Sequence, residues 1–218
     1  MPLPPSSDLP RDLAELRSAL SSGRRDFRGL CLSDLDGVDL DLSGCELSGS
    51  YFREARFGHA RLQGARVEGA GFQQALLWGA DLSELQGRGS LWHDADLPAA
   101  RLQRADLSAA ILHRCCQHAA QAAGSILRGA RLVEADFGSS LDQLTDLGAA
   151  DFRDADLSYA LLQGAQLHGC HLGGACLYGA NLSGADLQEA NLSGCDLRDV
   201  NLNGTLLEGA DLSWALRT

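Results

Sequence analysis

A large apolar residue returns every five positions along most of this 218-residue chain. Between Gly179 and Leu197 the sequence reads GANLSGADLQEANLSGCDL, with leucine at 182, 187, 192 and 197. No regular element explains that step, since a helix repeats its apolar residues every 3.6 positions and a strand every 2. Stepping by five from Phe27 to Leu212 visits 38 positions, of which 33 hold Leu, Phe, Val or Trp. The lapses are Gly37, Gly87, Gln117, Ala122 and Asp142, and after each one the register resumes unshifted.

Two positions before each centre the residue is usually alanine, as at 55, 60, 65, 70, 75 and 80 and again at 150, 155, 160 and 165. A large and a small apolar residue two apart are inward neighbours on a short extended segment. The other three places carry Asp, Asn, Ser, Gln, Arg, Glu and Gly, and these point out. A unit with two inward residues cannot bury them alone, so it must stack on copies of itself. Glycines such as Gly164, Gly169 and Gly179 supply the turn-prone backbone where one short side meets the next.

The motif Ala-(Asp/Asn)-Leu-x-x, present as ADLSY from 155, ANLSG from 180 and ADLQE from 185, resembles the pentapeptide-repeat family. The resemblance covers Phe27 to Leu212. It implies an all-β solenoid, a right-handed quadrilateral β-helix with four pentads per coil and an N-terminal capping α-helix. At about 4.8 Å per coil such a rod is about 45 Å long. The entry Leu-x-x-x-Leu-x-x-Gly-Arg-Arg-Asp-Phe at 16–27 and the segment 140–177, with TDLG at 145 and ADLSYA at 155, are similar to cyanobacterial members, including the regulator that suppresses heterocyst differentiation. That likeness implies a non-catalytic protein acting on a regulatory complex. Another branch of the family mimics duplex DNA and occupies the DNA-binding saddle of type II topoisomerases, which implies a gyrase-directed alternative.

Charge separates these readings in part. Up to Arg131 the chain has 16 acidic residues against 15 arginines; beyond it, 13 acidic residues face only Arg153, Arg198 and Arg217. There is no lysine, and the net charge of −11 argues against direct nucleic-acid binding, which needs a basic face. An acidic rod would instead be steered to a basic groove. The candidate acidic surface is Asp136, Asp156, Asp186, Asp196 and Asp211, while Asp residues recur before the centres as part of the repeat, as a solvated face would. Neither a signal peptide nor a bilayer-length apolar run is present in the sequence, so no membrane association and a cytoplasmic location are expected.

The boundaries expected are an extended N-terminus over 1–8, a helix over 9–22, the repeat coil over 23–213 and a short tail or cap over 214–218. Leu9, Leu13, Leu16 and Leu20 share one helical face, Asp8 is placed to cap its start, and Gly23 to stop it. Trp214 and Leu216 are expected to fold back as a minimal cap of a monomer, with a dimer through this end as the alternative. The lapses at 35–40, 85–91, 113–126 and 139–146 are each either irregular sides or loops, and a loop of five or ten residues would move every later pentad to another face.

Chemistry finds little purchase in this pattern. Cys45, Cys115, Cys170 and Cys195 fall in alanine slots and read as buried thiols, and the seven cysteines lack a disulfide framework. His113-Arg-Cys-Cys-Gln-His118 and His168-Gly-Cys-His171 have metal-ligand residue types without zinc spacing, and their cysteines and histidines point opposite ways. No catalytic constellation, metal or cofactor is expected. The candidate partner-binding residues are Leu76, Trp78, Tyr159 and Tyr178, outward apolar and aromatic side chains that share one face if every coil takes twenty residues. They fit a protein partner.

Overall fold

The computed structural model describes residues 8–139 and 143–217, which form one helix, α1 (Leu13–Ser21), followed by a continuous coil. Parallel bridges join the residue before each centre to its counterpart one turn later, from Asp26↔Glu46 to Asp196↔Leu216. Their usual spacing is 20 residues, four pentads, so the chain is a β-helix solenoid with four sides per turn. Side I runs through Asp26, Glu46 and Arg66, side II through Cys31, Tyr51 and Gly71, side III through Asp36, Arg56 and Leu76, and side IV through Asp41, Arg61 and Asp81.

Hydrogen bonding explains why the unit is five residues. In the pentad around Leu82, the N–H groups of Asp81, Leu82 and Glu84 donate to carbonyls of adjacent turns (2.9, 2.7 and 2.9 Å), and Leu85 N–H donates back to Leu82 at 3.2 Å. The remaining donor, Ser83 N–H, is taken by the Asp81 carboxylate at 3.0 Å. Asn181 does the same for Ser183, and Asp186 for Gln188. Every main-chain donor of the unit thus finds a partner, which a buried backbone requires. The recurring Asp or Asn is therefore not merely a solvated residue, as its repetition alone suggests; its oxygen completes the turn.

The inward column is closely fitted where the pattern lapses. A Cβ at Gly37 would come within 2.8 Å of the Phe57 ring, so the missing side chain leaves room for a larger one. Gly87 lies beside Ser90, whose hydroxyl donates to the Gly87 carbonyl (2.5 Å) and accepts from Trp92 Nε1 (2.6 Å). Trp92 in turn stacks on Phe72 with centroids 4.2 Å apart. Gln117 and Ala122 also stay in place, both buried. The stretches 35–40, 85–91 and 113–126 are therefore ordinary sides of the coil.

The fourth lapse is different. Pairing steps from 20 to 25 residues at Gln121↔Asp146 and returns to 20 at Asp146↔Gln166, so the chain between Ser139 and Thr145 adds five residues to one turn. Asp142 itself lies outside the described residues. Thr145 fastens the exit: its hydroxyl accepts from Ala119 N–H (2.9 Å) and donates to the Gly138 carbonyl (3.2 Å), and its own N–H donates to Ser139 Oγ (3.0 Å). Because five residues equal one side, every later pentad moves round by one side while its centres stay inward.

At the entry, α1 is shorter than the 9–22 span. Its cap is Asp12, which accepts from Glu15 N–H at 2.8 Å, rather than Asp8. Pro10 restricts Leu9 to extended backbone, so the first turn begins beyond it. Gly23, at φ +87°, ends the helix as its position suggests. Leu16 is fully buried in the coil's core cluster, with Leu9, Leu13 and Leu20 packed around it. At the other end the ladder runs through Leu216, so Trp214 and Leu216 do not fold back. Trp214 sits at a turn position with φ +62° and is 89% exposed. Among the described residues no helix is long and apolar enough to cross a membrane.

Candidate interaction surface

Side III collects Leu76 and Trp78 from one turn, Pro98 and Ala99 from the next, then Cys116, His118 and Ala119, then Asp136 and Gly138, and finally Leu161 and Gln163. Leu76, Trp78 and Leu161 are each 39% exposed. From Leu76 to Leu161 is four turns, about 19 Å at about 4.8 Å per turn. The Trp78 ring lies over Gly58, where any Cβ would collide with it, and meets His59 edge-on at 4.3 Å between centroids. Glycine at 58 is what lets the indole lie down along the side. His118 bridges turns too, with Nε2 2.9 Å from the Asp136 carboxylate and Nδ1 2.9 Å from the Gly138 carbonyl.

Charge sets this side apart. Of the 18 arginines, only Arg56 stands on side III, 3.8 Å from Asp36, and from Leu76 to Gln163 its described charged residues are Asp96 and Asp136. Side I, directly opposite, carries Arg66, Glu68, Arg88, Asp106, Arg128, Asp151 and Arg153 over the same turns.

Tyr159 and Tyr178 do not join Trp78. The five-residue excess between 139 and 145 puts them on side II, so the single face expected for all four candidates splits into Leu76 and Trp78 on side III and the tyrosines on side II. There the two rings meet edge-on at 5.5 Å, and Arg198 lies 5.7 Å over Tyr178. The neighbouring Asp199 carboxylate pushes the Tyr178 hydroxyl's pKa up. Tyr159 occupies a turn position at φ +58°, unusual for an aromatic residue, and its ring covers Gly179, where a Cβ would sit 2.7 Å from it. It is 51% exposed and stands at the corner leading to Leu161.

The candidate acidic residues are likewise dispersed. Asp136 is on side III, Asp156 and Asp196 on side II, Asp186 on side IV and Asp211 on side I. Each accepts a backbone N–H two residues on. The Arg198 guanidinium holds Asp196 down at about 2. No single side gathers these carboxylates into a stripe.

The histidines and cysteines separate by direction. Cys115 and Cys170 are buried, and burial pushes the Cys170 thiol up to about 12 and Cys115 higher still. His113 lies on side II beside His93, 6.0 Å between ring centroids, one side away from His118. Among the described residues no group of three or more His, Cys, Asp or Glu side chains comes together as a metal site. Sequence reasoning missed Leu161 and the charge depletion of side III. The place of Leu161 becomes visible only when pentads after 145 are moved by one side, whereas the depletion from Leu76 to Asp136 follows the plain count of twenty.

Comparison with known proteins adds the lineage. Two family models match, Pentapeptide repeats (8 copies) over residues 145–174 and 175–213 and Pentapeptide repeats (9 copies) over residues 37–76. Among curated proteins none matches. The crystal structure of HetL, a pentapeptide repeat protein involved in heterocyst differentiation regulation from the cyanobacterium Nostoc sp. strain PCC 7120, matches at 32% identity over 95% of this chain and 95% of its own, with a TM-score of 0.62. Two looser matches are QnrB1, a plasmid-mediated fluoroquinolone resistance protein (23% identity, 85% and 90% covered, TM-score 0.37), and Rfr23 from the cyanobacterium Cyanothece 51142 (18%, 94% and 99%, 0.22).

Proposed function

This chain belongs to the pentapeptide-repeat family, and we propose that it is a non-catalytic rod whose sides are read by a protein partner in a regulatory role. The observation that carries this reading is side III, where arginine is nearly absent and Leu76, Trp78 and Leu161 stand exposed along one side. The involvement of HetL in heterocyst differentiation regulation supports a regulatory role for this chain. On this reading the coil is right-handed, α1 caps its first turn, no cofactor or metal takes part, and the protein works in the cytoplasm as a monomer. The tyrosine pair on side II is a secondary contact.

A photo-cross-linking amino acid placed in turn at Trp78, Ile126, Tyr178 and Leu206, one on each side, tests the reading in extracts of the source organism. A specific adduct from one or two sides is expected. Adducts from no side would overturn the proposal.

The acidic stretch after Arg131 favours a second reading, a DNA mimic of type II topoisomerases. Gyrase supercoiling with and without a quinolone, at two salt concentrations, separates the two. Salt-sensitive inhibition or drug protection would place the acidic stretch ahead of side III; no effect at high excess is the outcome expected here.

A further inference from the structure

The rod reading leaves open what kind of partner it takes, and resting on that reading we propose that side III between Gly58 and Gln163 docks an amphipathic α-helix with an apolar stripe and basic flanks. Leu76 and Trp78 at one end and Leu161 at the other are the raised apolar contacts, with the smaller Pro98, Ala99, Ala119 and Gly138 between them. The fold does not require this composition. The place before a centre accepts arginine, aspartate, leucine or cysteine elsewhere in the same coil, so the lack of arginine along one side is a property of that surface rather than of the repeat.

Three features select a helix. First, the hydrogen bonds of the coil, between turns and within each pentad, engage the N–H groups of Leu76, Leu77, Gly79 and Ala80 and their counterparts in Leu161, Leu162, Gly164 and Ala165, so a partner strand finds no continuous edge to pair with along this side. The partner must bring a backbone already satisfied. Second, the apolar stretch of about 19 Å matches about three and a half helical turns at 5.4 Å each. Third, the electrostatics ask for cations. Asp96 and Asp136 lie on the side and Glu134 and Asp146 on its borders, whereas the bordering Arg101 and Arg114 are held by Asp81 and Asp94 at 3.6 and 2.8 Å. Lysines or arginines flanking the apolar stripe of a helix would meet these carboxylates.

The probe is a fluorescein-labelled amphipathic helix of leucine and lysine, about 18 residues long, with a leucine and glutamate helix of equal length as control, titrated by anisotropy against the full chain. Leu161→Lys and Ile126→Lys add the same charge at exposed positions on opposite sides. The leucine–lysine helix should bind, the leucine–glutamate helix at least about tenfold more weakly. Leu161→Lys should weaken binding by at least about tenfold while Ile126→Lys stays within about twofold. Equal losses in the two variants, or equal binding of both peptides, would overturn the proposal. So would self-association of the chain that Leu161→Lys abolishes, since the face would then belong to a second copy. Cross-linking from other sides with Trp78 silent sinks the helix dock and leaves the binding rod standing; silence on all four sinks both.

Discussion

The stretches before and after Arg131 share one backbone and differ in what crosses from turn to turn. In the first, arginines reach along the rod to the preceding coil: Arg61 to Asp41 at 2.7 Å, Arg66 to Glu46 at 3.3 Å, Arg114 to Asp94 at 2.8 Å, and Arg104 to Glu84. In the second, Arg153 and Arg198 turn back on Asp151 and Asp196 within their own pentads, and the Asn201 amide donates to Asn181 across turns at 3.1 Å. Where an oxygen stands before the centre, as at Asp81 in the first stretch and Asn181 and Asp186 in the second, it meets the same backbone demand. Aspartate and asparagine meet it equally, so the negative charge of the later stretch is not something the coil needs.

The interior offers the largest test of that contrast. Trp92→Ala removes a ring stacked on Phe72 and should cost about 3–5 kcal/mol in urea unfolding, against about 2–5 for Leu172→Ala in the uniform later core. A loss below about 1 kcal/mol at Trp92 would mean the aromatic column does not hold the first stretch. At the seam between the stretches, Thr145→Val leaves Ala119 N–H without its acceptor and should cost about 1–3 kcal/mol. Hydrogen exchange should then quicken first at Ala119 and Gln166, the amides that donate to Thr145.

Smaller effects probe the surface. Asp186→Asn should keep stability within about 0.5 kcal/mol, and Asp186→Ala should lose about 0.5–1.5, because Gln188 N–H needs an acceptor and not a charge. Equal losses would restore the charge to a structural role. Arg61→Ala should cost at most about 1 kcal/mol, since its pair with Asp41 is well exposed and screened. Smallest per residue is the acid response. Hydrogen bonds hold Asp41, Asp94, Asp151 and Asp196 below the usual carboxylate range, so their contribution is present above about pH 4 and is lost as pH falls toward about 2. Thermal unfolding across that window, repeated with Asp196→Asn, should show a shallower acid decline in the variant.

The coil was legible in the sequence because its core obeys a local rule: two inward residues in every five, whatever lies between. Gly37 makes room for Phe57 one turn on along the same side, and a Cβ at Gly87 would press within 3.0–3.2 Å of Leu107, Ser90 and Val67, an exchange of volume between turns that no one-dimensional pattern displays. The surface was less legible. The excess between Ser139 and Thr145 keeps the leucine register intact, so nothing in the spacing separates a regular side from an added one. Its sequence traces are Asp142 in a centre slot and Thr145 in a slot that usually holds alanine, and the other lapses, at Gly37, Gly87, Gln117 and Ala122, show that such a trace does not by itself mark an added side. Placing Tyr159 and Tyr178 with Trp78 followed from the unbroken count, and the added five residues moved them to the next side. Asp8 precedes the leucine face and is placed to cap it, but Pro10 delays the helix until Asp12 is the nearer oxygen.

Thr145 donates to Ser139 across five intervening residues, the length of one whole side, so the leucine register resumes unshifted beyond them. A four-residue excess would turn every later leucine outward; a five-residue one acts as an indexing click, rotating all downstream surface chemistry a quarter turn against the upstream part. Binding faces on such a rod can thus be dialled into new alignments by gaining or losing whole pentads at a seam, with no change to a single buried side chain beyond it.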